Sequence, residues 1–496
     1  MGARDSAAQN SRKWWPGLGL ERSNASKSGG RLVVKIALSL FSTTVVTAGL
    51  GFVFWALAAH ITTTEVVGRA SAVISAMQLI ATFGTLGLQT LLIAELPMRD
   101  GAGVKPLVVT SLGIAGGLAF AIAAGYAVVD HNAAKTTEWI YATPIGIALF
   151  GVGTALTAVT MVLDGALVGV QQSGRQVSRN LVFSLVKLIA LPIAAFAIGL
   201  SPHVVFSVWL LGNLVSLLAL GLRTKAPHEW LKTMPSVRGF YPIWRTAAGY
   251  HWINVATQAP RLAMPVMVAA QLGAQANAGF YAVLLLVSVV WVVPSHLATA
   301  MLTLDRGDPA HFGRGLETAL RLSAVISVLA AAGAAILARP VLAIFGPGYE
   351  QARYCLIALA TCTFASAVKS VYVPVRRAQG ALGRAARAVA LGAALELGAV
   401  QLGLKLGAVT GVGIALGAAM MLEAVFFWPT IRKARQGLNQ QPTGAERNRC
   451  GQEREIPDLN IPSIPSDLGW RSNPALRKTP CADISEPQRI RAFKYQ

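Results

Sequence analysis

Five ionisable residues in or beside the long apolar stretches of this 496-residue chain, where a charged group is costly, are the strongest candidates for a function. They are Arg261, Lys187, Lys369, Glu396 and Asp164, and Glu423 ranks below them. A charge at the centre of a bilayer costs about 3 kcal/mol or more, so each needs a partner or a function. Buried cations can bind an anionic group, and a buried carboxyl can hold a proton or a cation. We therefore predict substrate contacts for the three cations and ion coupling for the two acids.

Arg261 has the most distinctive surroundings, because it lies between Pro260 and Pro265. At about 1.5 Å per residue it is roughly 20 Å from the inner end of its stretch. Each proline frees a backbone carbonyl and bends a helix. The forked donors of a guanidinium match phosphate oxygens. The position predicts contact with an anionic headgroup, and the alternative is an ion pair with an acid on another helix.

Lys187 and Lys369 lie in the inner half of their stretches. A lysine stem can carry its ammonium from that depth to the inner headgroups, so snorkelling is the alternative to lining a cavity. Glu396 lies near the middle of its stretch with no cation close in sequence. It is predicted either to pair, with Lys187 or Lys369 as candidates, or to carry a proton and couple transport to an ion gradient.

Asp164 lies near the inner end of its stretch and can alternatively meet Arg175 or Arg179. The chain contains no pair of histidines at i and i+4 with a carboxylate, no P-loop and no GxSxG. We therefore expect no metal, no cofactor and no enzymatic activity. Any active transport would draw on an ion gradient or on the substrate gradient itself.

Twelve long apolar stretches must position these residues. The chain is 54% hydrophobic and only 13% charged, which is too apolar for a soluble domain. A helix needs about 20 apolar residues to cross hydrocarbon, and the alternating ten-residue strands of a barrel are absent. The predicted fold class is therefore an all-α polytopic membrane protein. The predicted spans are 32–59, 71–94, 106–129, 139–163, 180–200, 203–222, 247–270, 277–303, 317–338, 352–374, 386–408 and 410–430.

Arginine and lysine are concentrated in both tails and in every second gap between the spans. By the positive-inside rule, both termini are cytoplasmic and the protein is a multi-pass protein of the cell inner (plasma) membrane. The formal net charge of +21 is thus a topology signal, and binding to nucleic acid is not expected.

The spans divide six and six around the longest internal gap. A polar tail with many prolines follows them and is predicted to be disordered. The predicted organisation is a basic cytoplasmic tail 1–31, an N-terminal six-helix lobe 32–222, a cytoplasmic linker 223–246, a C-terminal six-helix lobe 247–430 and a disordered cytoplasmic tail 431–496.

A faint internal repeat relates the two halves. Setting Gly68 on Gly279 also brings the first span onto the seventh. With six spans per half, both halves keep the same orientation, as in the parallel repeats of several transporter folds. Chance similarity between apolar helices is the alternative.

Short motifs near the span ends carry a family resemblance. They are VGRASA at 67–72, GTLGL at 84–88, ELP at 95–97, DGAL at 164–167, RNLVF at 179–183, AGFY at 278–281, VPS at 293–295, FG at 345–346 and RAQG at 377–380. Over about residues 31–432 the chain resembles the polysaccharide flippases of the multidrug/oligosaccharidyl-lipid/polysaccharide exporter superfamily.

That resemblance implies twelve transmembrane helices as two six-helix lobes around a central cavity. It also implies translocation of a polyprenyl-diphosphate-linked saccharide across the cytoplasmic membrane by alternating access, for cell-surface polysaccharide assembly. Arg261, and less directly Lys187 and Lys369, would hold the diphosphate. The implied partners are membrane lipid, the saccharide-bearing lipid and glycan-synthesis proteins.

Three alternatives stay open at this point. An ion-coupled drug/cation antiporter of the same superfamily would have acids in its cavity. A membrane enzyme of glycan synthesis would need a polar loop outside the membrane, and the outer gaps here are short. A scaffold for glycan synthesis would use its basic loops and its C-terminal tail.

Overall fold

A computed structural model describes residues 47–99, 101–130, 140, 143–223, 243–304, 309–379 and 381–439. Every regular element within these ranges is a helix, because a chain inside hydrocarbon must satisfy its backbone hydrogen bonds within each segment. The predicted tail 1–31, the start of the first span, most of the 223–246 linker and residues 440–496 lie outside the described residues.

The helices follow one another with short connections. Short 3₁₀ turns at Leu96–Met98 and Tyr349–Ala352 join some of them. The helices are α1 (Thr47–Ile61), α2 (Thr64–Gly84), α3 (Leu88–Glu95), α4 (Gly101–Asp130), α5 (Pro144–Gly169), α6 (Ser173–Ile198), α7 (Pro202–Arg223), α8 (Trp244–Leu272), α9 (Ala274–Leu304), α10 (Pro309–Ala343), α11 (Arg353–Thr361), α12 (Thr363–Ala378) and α13 (Leu382–Asn439).

Each of the twelve predicted spans is mainly helical where the structure describes it, although a turn at 85–87 divides the second span and a turn at Cys362 divides the tenth. Eight of the described helices are long and apolar enough to cross a membrane, and the pair α11 and α12, bent by 46°, makes a ninth span. The longest, α13, contains the last two predicted spans. Its backbone leaves the helical region at Gly407 and Ala408, so it consists of two arms. Gly403 and Gly411 lie in contact across this break, which shows that the second arm runs back along the first.

The last helix ends later than predicted. The sequence places the start of a disordered tail at residue 431, whereas α13 continues to Asn439. Arg432, Lys433 and Arg435 are polar enough to suggest a tail, but they can extend the helix while their charges stay in water. The other predicted boundaries between tails, linker and lobes stay predictions.

The offset that places Gly68 on Gly279 also relates the helices of the two halves. It places the end of α1 at Ile61 on the end of α8 at Leu272, and the start of α2 at Thr64 within a residue of the start of α9. The same offset puts α4 on α10, α5 on α11 and α12, and α6 and α7 on the two arms of α13. The agreement of all six helices supports a repeat that the sequence identity alone leaves faint.

The two lobes meet along α2, which packs against α8 and α9. Near the start of α2, a Cβ atom on Gly68 would overlap the carbonyl oxygen of Ala274. The buried Asn277 side chain on α9 donates from Nδ2 to the Gly68 carbonyl oxygen at 2.8 Å and to Ser71 Oγ at 3.1 Å. Close backbone approach and a buried polar contact therefore join the lobes at this end.

The other end of α2 is followed by a turn that contacts α8. Gly87 follows α2 with a φ of +74°, which favours glycine, and a Cβ atom there would overlap the backbone of Ala247 and His251. Close by, Asn254 Nδ2 on α8 donates to Thr90 Oγ1 on α3 at 2.9 Å. The lobes are thus in contact at both ends of α2.

Candidate functional site

A cavity of about 380 Å³ lies among the helices of the C-terminal lobe. Its volume falls in the range of small-molecule binding sites. It is lined by α8 (Ile253, Thr257, Gln258, Arg261, Met264), α9 (Leu284, Ser288, Trp291, Val292), α12 (Ser366, Lys369, Ser370, Val373) and both arms of α13 (Val389, Glu396, Leu416, Met420). Three of the five predicted site residues, Arg261, Lys369 and Glu396, therefore line one cavity.

The helix that carries Arg261 is the most polar of the long helices around this cavity. Thr257, Gln258 and Arg261 all line the cavity from α8, which is not one of the eight described helices that are long and apolar enough to cross a membrane. Pro265 lacks an N–H, so the carbonyl of Arg261 loses its usual helical hydrogen bond. Polar side chains on a proline-containing helix are tolerated at membrane depth where they line a cavity.

Arg261 points into the cavity without a carboxylate partner. Its Nη2 donates to Gln258 Oε1 at 3.1 Å, one turn earlier on the same helix. Among the residues that the structure describes, no acid lies within ion-pair distance of it, and the side chain is exposed. Since no acid in the described part of the chain neutralises it, this guanidinium can receive an anionic group in the cavity.

Two residues that line the cavity, Lys369 and Glu396, form a three-membered charge cluster with Glu423. Lys369 Nζ on α12 donates to Glu396 Oε1 at 2.8 Å and lies 3.0 Å from Glu423 Oε2. The two acids come from the two arms of α13 and are only 6% and 4% exposed. Gly392 makes the approach of the second acid feasible, because a Cβ atom there would lie 2.7 Å from the Glu423 carboxyl carbon.

The charges of this cluster do not balance. One ammonium faces two carboxylates, so the cluster carries a net negative charge unless one carboxyl holds a proton. Two carboxylates that share a site in a poorly solvated environment disfavour simultaneous ionisation. Glu423 Oε1 is buried and has no hydrogen-bond partner among the residues that the structure describes. The arrangement can bind and release a proton beside the cavity.

Lys187 does not reach this cavity. It is 2% exposed in the N-terminal lobe, and its Nζ lies over three aromatic rings: Trp209 at 3.9 Å, Phe183 at 4.1 Å and Phe54 at 4.8 Å. No acid within the described ranges pairs with it. Cation–π contacts therefore take the place of a countercharge, and snorkelling is not observed.

Asp164 is held in a closed ion pair. Of the two arginines that the sequence offered, Arg179 is its partner, donating from Nε to Oδ1 at 2.9 Å and from Nη2 to Oδ2 at 2.7 Å. Arg179 also donates to Ser216 Oγ at 3.3 Å and to Asn180 Oδ1 at 2.7 Å. Arg175 instead donates to Gln172 Oε1. The bidentate geometry is that of a structural pair.

Sequence reasoning gave too little weight to Glu423. A usable signal was available, since Glu396 and Glu423 lie at nearly equal distances on either side of the predicted gap at residue 409. Two residues at equal distances from a tight turn between antiparallel helices share the same depth. Within the described ranges, no group of three His, Cys, Asp or Glu residues could hold a metal ion.

The fold is shared with known membrane transporters. An inward-facing multidrug resistance MATE family transporter of the MOP superfamily has a TM-score of 0.61 at 13% identity, covering 80% of this chain and 96% of its own. An outward-facing MATE family transporter gives 0.58 at 14% identity, with 85% and 100% covered. The likeness confirms the predicted fold class, an all-helical membrane protein with twelve helices in two lobes.

A third similar structure is a MOP superfamily transporter from Pyrococcus furiosus, described as having a binding pocket of reverse polarity that suggests a different function. It has a TM-score of 0.59 at 14% identity, with 85% of this chain and 100% of its own covered. No protein-family model matches the sequence, and no curated protein matches it.

Proposed function

We propose that this protein transports a polyprenyl-diphosphate-linked saccharide across the cytoplasmic membrane by alternating access. The observation that carries the proposal is Arg261, an exposed and unpaired guanidinium in a cavity of the C-terminal lobe. The shared fold supports a transporter, and the structures to which the chain is similar are transporters and not enzymes. The Pyrococcus furiosus transporter supports the idea that this fold accommodates pockets of unlike polarity.

The substrate would contribute a diphosphate, which suits a cationic cavity wall. Arg261 can donate two parallel hydrogen bonds to phosphate oxygens and replace part of their hydration. The polyprenyl tail would stay in lipid while the saccharide moves between the lobes. The substrate must also be released, so it cannot bind too tightly. A single arginine without an acid partner binds a diphosphate less tightly than a cluster of cations would.

Lys369 would act as a second, conditional cation. In the present arrangement it is held by Glu396 and Glu423. A proton on one of these carboxyls would remove part of that attraction and free Lys369 for the substrate. We therefore assign ion coupling to Glu396, together with Glu423. Asp164, the other acid predicted for coupling, is closed by Arg179 and is the weaker candidate.

Lys187, the third cation predicted to bind substrate, enters the proposal differently. Its ammonium is covered by Phe54, Phe183 and Trp209. It keeps a role in binding only in a conformation in which these rings separate. Localisation in the inner membrane, cytoplasmic termini and glycan-synthesis partners are also parts of this proposal.

An ion-coupled drug/cation antiporter is the second candidate. Two of the similar structures are described as multidrug resistance transporters, and Glu396 lines the same cavity as Arg261. A cationic drug would be attracted by the acids and repelled by the arginine. The polarity of the cavity as a whole therefore separates the two functions.

Reconstitution into proteoliposomes tests the proposal. Vesicles would contain either a polyprenyl-diphosphate-linked oligosaccharide or a cationic dye, and the fraction of each that crosses the bilayer would be measured with and without a pH gradient. We expect transfer of the lipid-linked saccharide and no dye transport. Dye transport without saccharide transfer would show that the protein is an antiporter and not a flippase.

A further inference from the structure

A second pocket, of about 260 Å³, lies in the N-terminal lobe between the start of α6 and the end of α7. It shares no residue with the cavity around Arg261. Four of its residues are small, which gives it its depth, and two are arginines. The lining consists of Gly174, Arg175, Ser178, Arg179, Val182, Ser216, Ala219 and Leu220.

The pocket carries a net positive charge. Arg179 is 5% exposed and is neutralised by Asp164, so it contributes lining to the pocket but no net charge. Arg175 is exposed at the rim, and its contact in the structure is the neutral Gln172 side chain at 2.6 Å. No acid in the described part of the chain pairs with Arg175. The guanidinium retains donors for an anion.

The start of α6 adds to this positive character. Its N-cap residue Gln172 makes no side-chain hydrogen bond to the first turn. The first amides of a helix carry a partial positive charge and favour an anion. Gly174, in that first turn, has no atom within 4 Å of where its Cβ would be, so the pocket is open beside these amides.

The surroundings of the pocket are those of a lipid rather than of a soluble anion. Arg179, Ser184, Lys187 and Leu191 are the buried residues of α6 and lie within one face of the helix, while its other residues are half-buried or exposed. Exposed leucines continue along both helices from the pocket towards the middle of the membrane: Leu181, Leu185, Leu214 and Leu218. Acyl chains can lie on these leucines while the headgroup occupies the pocket. The sequence predicts this end of α6 and α7 to face the cytoplasm.

We propose that this pocket binds the phosphate of an anionic membrane phospholipid. Arg175 makes the charge-assisted hydrogen bonds, the first turn of α6 supplies backbone donors, and the Asp164–Arg179 pair holds the wall in place. Basic pockets between transmembrane helices on the cytoplasmic side are a recognised kind of lipid site. This site is independent of the transported substrate, because its residues lie in the N-terminal lobe and none of them lines the cavity around Arg261.

Native mass spectrometry of the full-length protein in detergent tests this site with phosphatidylglycerol and phosphatidylcholine as probes. The variant Arg175→Gln removes the charge, and Gly174→Leu fills the pocket while keeping the charge. Arg321→Gln is the matched control, since it removes an exposed arginine paired with Glu317 at 2.6 Å. We expect phosphatidylglycerol to bind the wild type and the control, and to bind Arg175→Gln and Gly174→Leu about tenfold more weakly.

Three outcomes would overturn the proposal. Equal binding of the two lipids to the wild type would remove the need for an anion site. If Arg175→Gln loses phosphatidylglycerol binding and Gly174→Leu keeps it, the lipid contacts Arg175 from outside the pocket. Inorganic phosphate that raises the melting temperature as much as phosphatidylglycerol does would assign the site to a soluble anion. Melting curves of all variants without lipid verify that they are folded.

Discussion

The two lobes repeat one helical arrangement but treat buried charge in opposite ways. In the N-terminal lobe, Asp164 and Arg179 neutralise each other and aromatic rings cover Lys187. In the C-terminal lobe, Arg261 is unpaired and Lys369 faces two acids beside an open cavity. The buried charges described in the N-terminal lobe are thus neutralised or covered, whereas those in the C-terminal lobe remain available to a ligand or a proton.

The difference is not part of the repeat. At the offset that superposes Gly68 on Gly279, Arg261 corresponds to Leu50, Lys369 to Ala158, and Glu396 to Leu185. Glu423 corresponds to Gly212, a residue against which Lys187 and Phe183 pack. The repeated helices thus provide equivalent positions, and side chains at a few of them make the lobes chemically distinct. Four substitutions test this asymmetry.

The largest effect is expected on stability when Lys369 is removed. Lys369→Ala would leave Glu396 and Glu423 buried without a countercharge, and breaking a buried ion pair costs about 3–5 kcal/mol. Thermal melting of the purified protein in detergent would measure the loss. Arg339→Ala, which breaks an exposed pair with Glu350, is the control and should change melting little. A loss no larger than that of the control would mean that the cluster is not desolvated.

Arg261→Ala should abolish transport while leaving the fold intact. An exposed, unpaired arginine contributes little to stability, but loss of a bidentate contact to phosphate should lower transfer by about a hundredfold, or roughly 3 kcal/mol. Arg261→Lys, which keeps the charge and loses the fork, should give an intermediate rate. Transfer of the lipid-linked saccharide in proteoliposomes is the measurement. Normal transfer by a well-folded alanine variant would exclude this residue from the mechanism.

Glu423→Gln should uncouple transport from protons. The substitution leaves one ammonium with one carboxylate, so the second carboxylate that would take up the proton is gone. Wild-type transfer should change about tenfold when a pH gradient is imposed, which is the size of effect expected when the occupancy of a single proton site changes. Transfer by the variant should not change. Glu317→Gln, at an exposed pair on α10, serves as the control. A variant that still responds would place coupling elsewhere.

The smallest effect is expected at Lys187. In Lys187→Met a flexible apolar side chain replaces a buried ammonium, and such replacements of buried charges are often neutral or stabilising. Transfer should stay within about threefold of the wild type, and the melting temperature should not fall. If transfer instead falls as far as in Arg261→Ala, the aromatic rings must open during the cycle and the N-terminal lobe shares the binding site.

Several features of the fold could be predicted from the sequence because lipid leaves few choices. Hydrocarbon permits helices and excludes unpaired backbone, so twelve apolar stretches give twelve helical spans. The bend at Gly87, with a φ of +74°, lies at a glycine inside the second stretch, whereas at the break in α13 the positive φ belongs to Ala408. The prediction of Arg261 as a residue that faces a cavity rested on the same reasoning, since an arginine between two prolines has few other uses at that depth.

Tertiary structure decided between the charge pairings that the sequence left open, and it added Glu423 to one of them. Lys369 and Glu396 are separated by 27 residues and meet because α12 packs against α13. Glu423 joins them because the second arm of α13 runs back along the first. Local periodicity places a side chain at a depth and on a face of its own helix, whereas contact between helices depends on how whole surfaces pack. The sequence by itself determined which charges lie inside the membrane, and the packing of the helices determined which of them are neutralised.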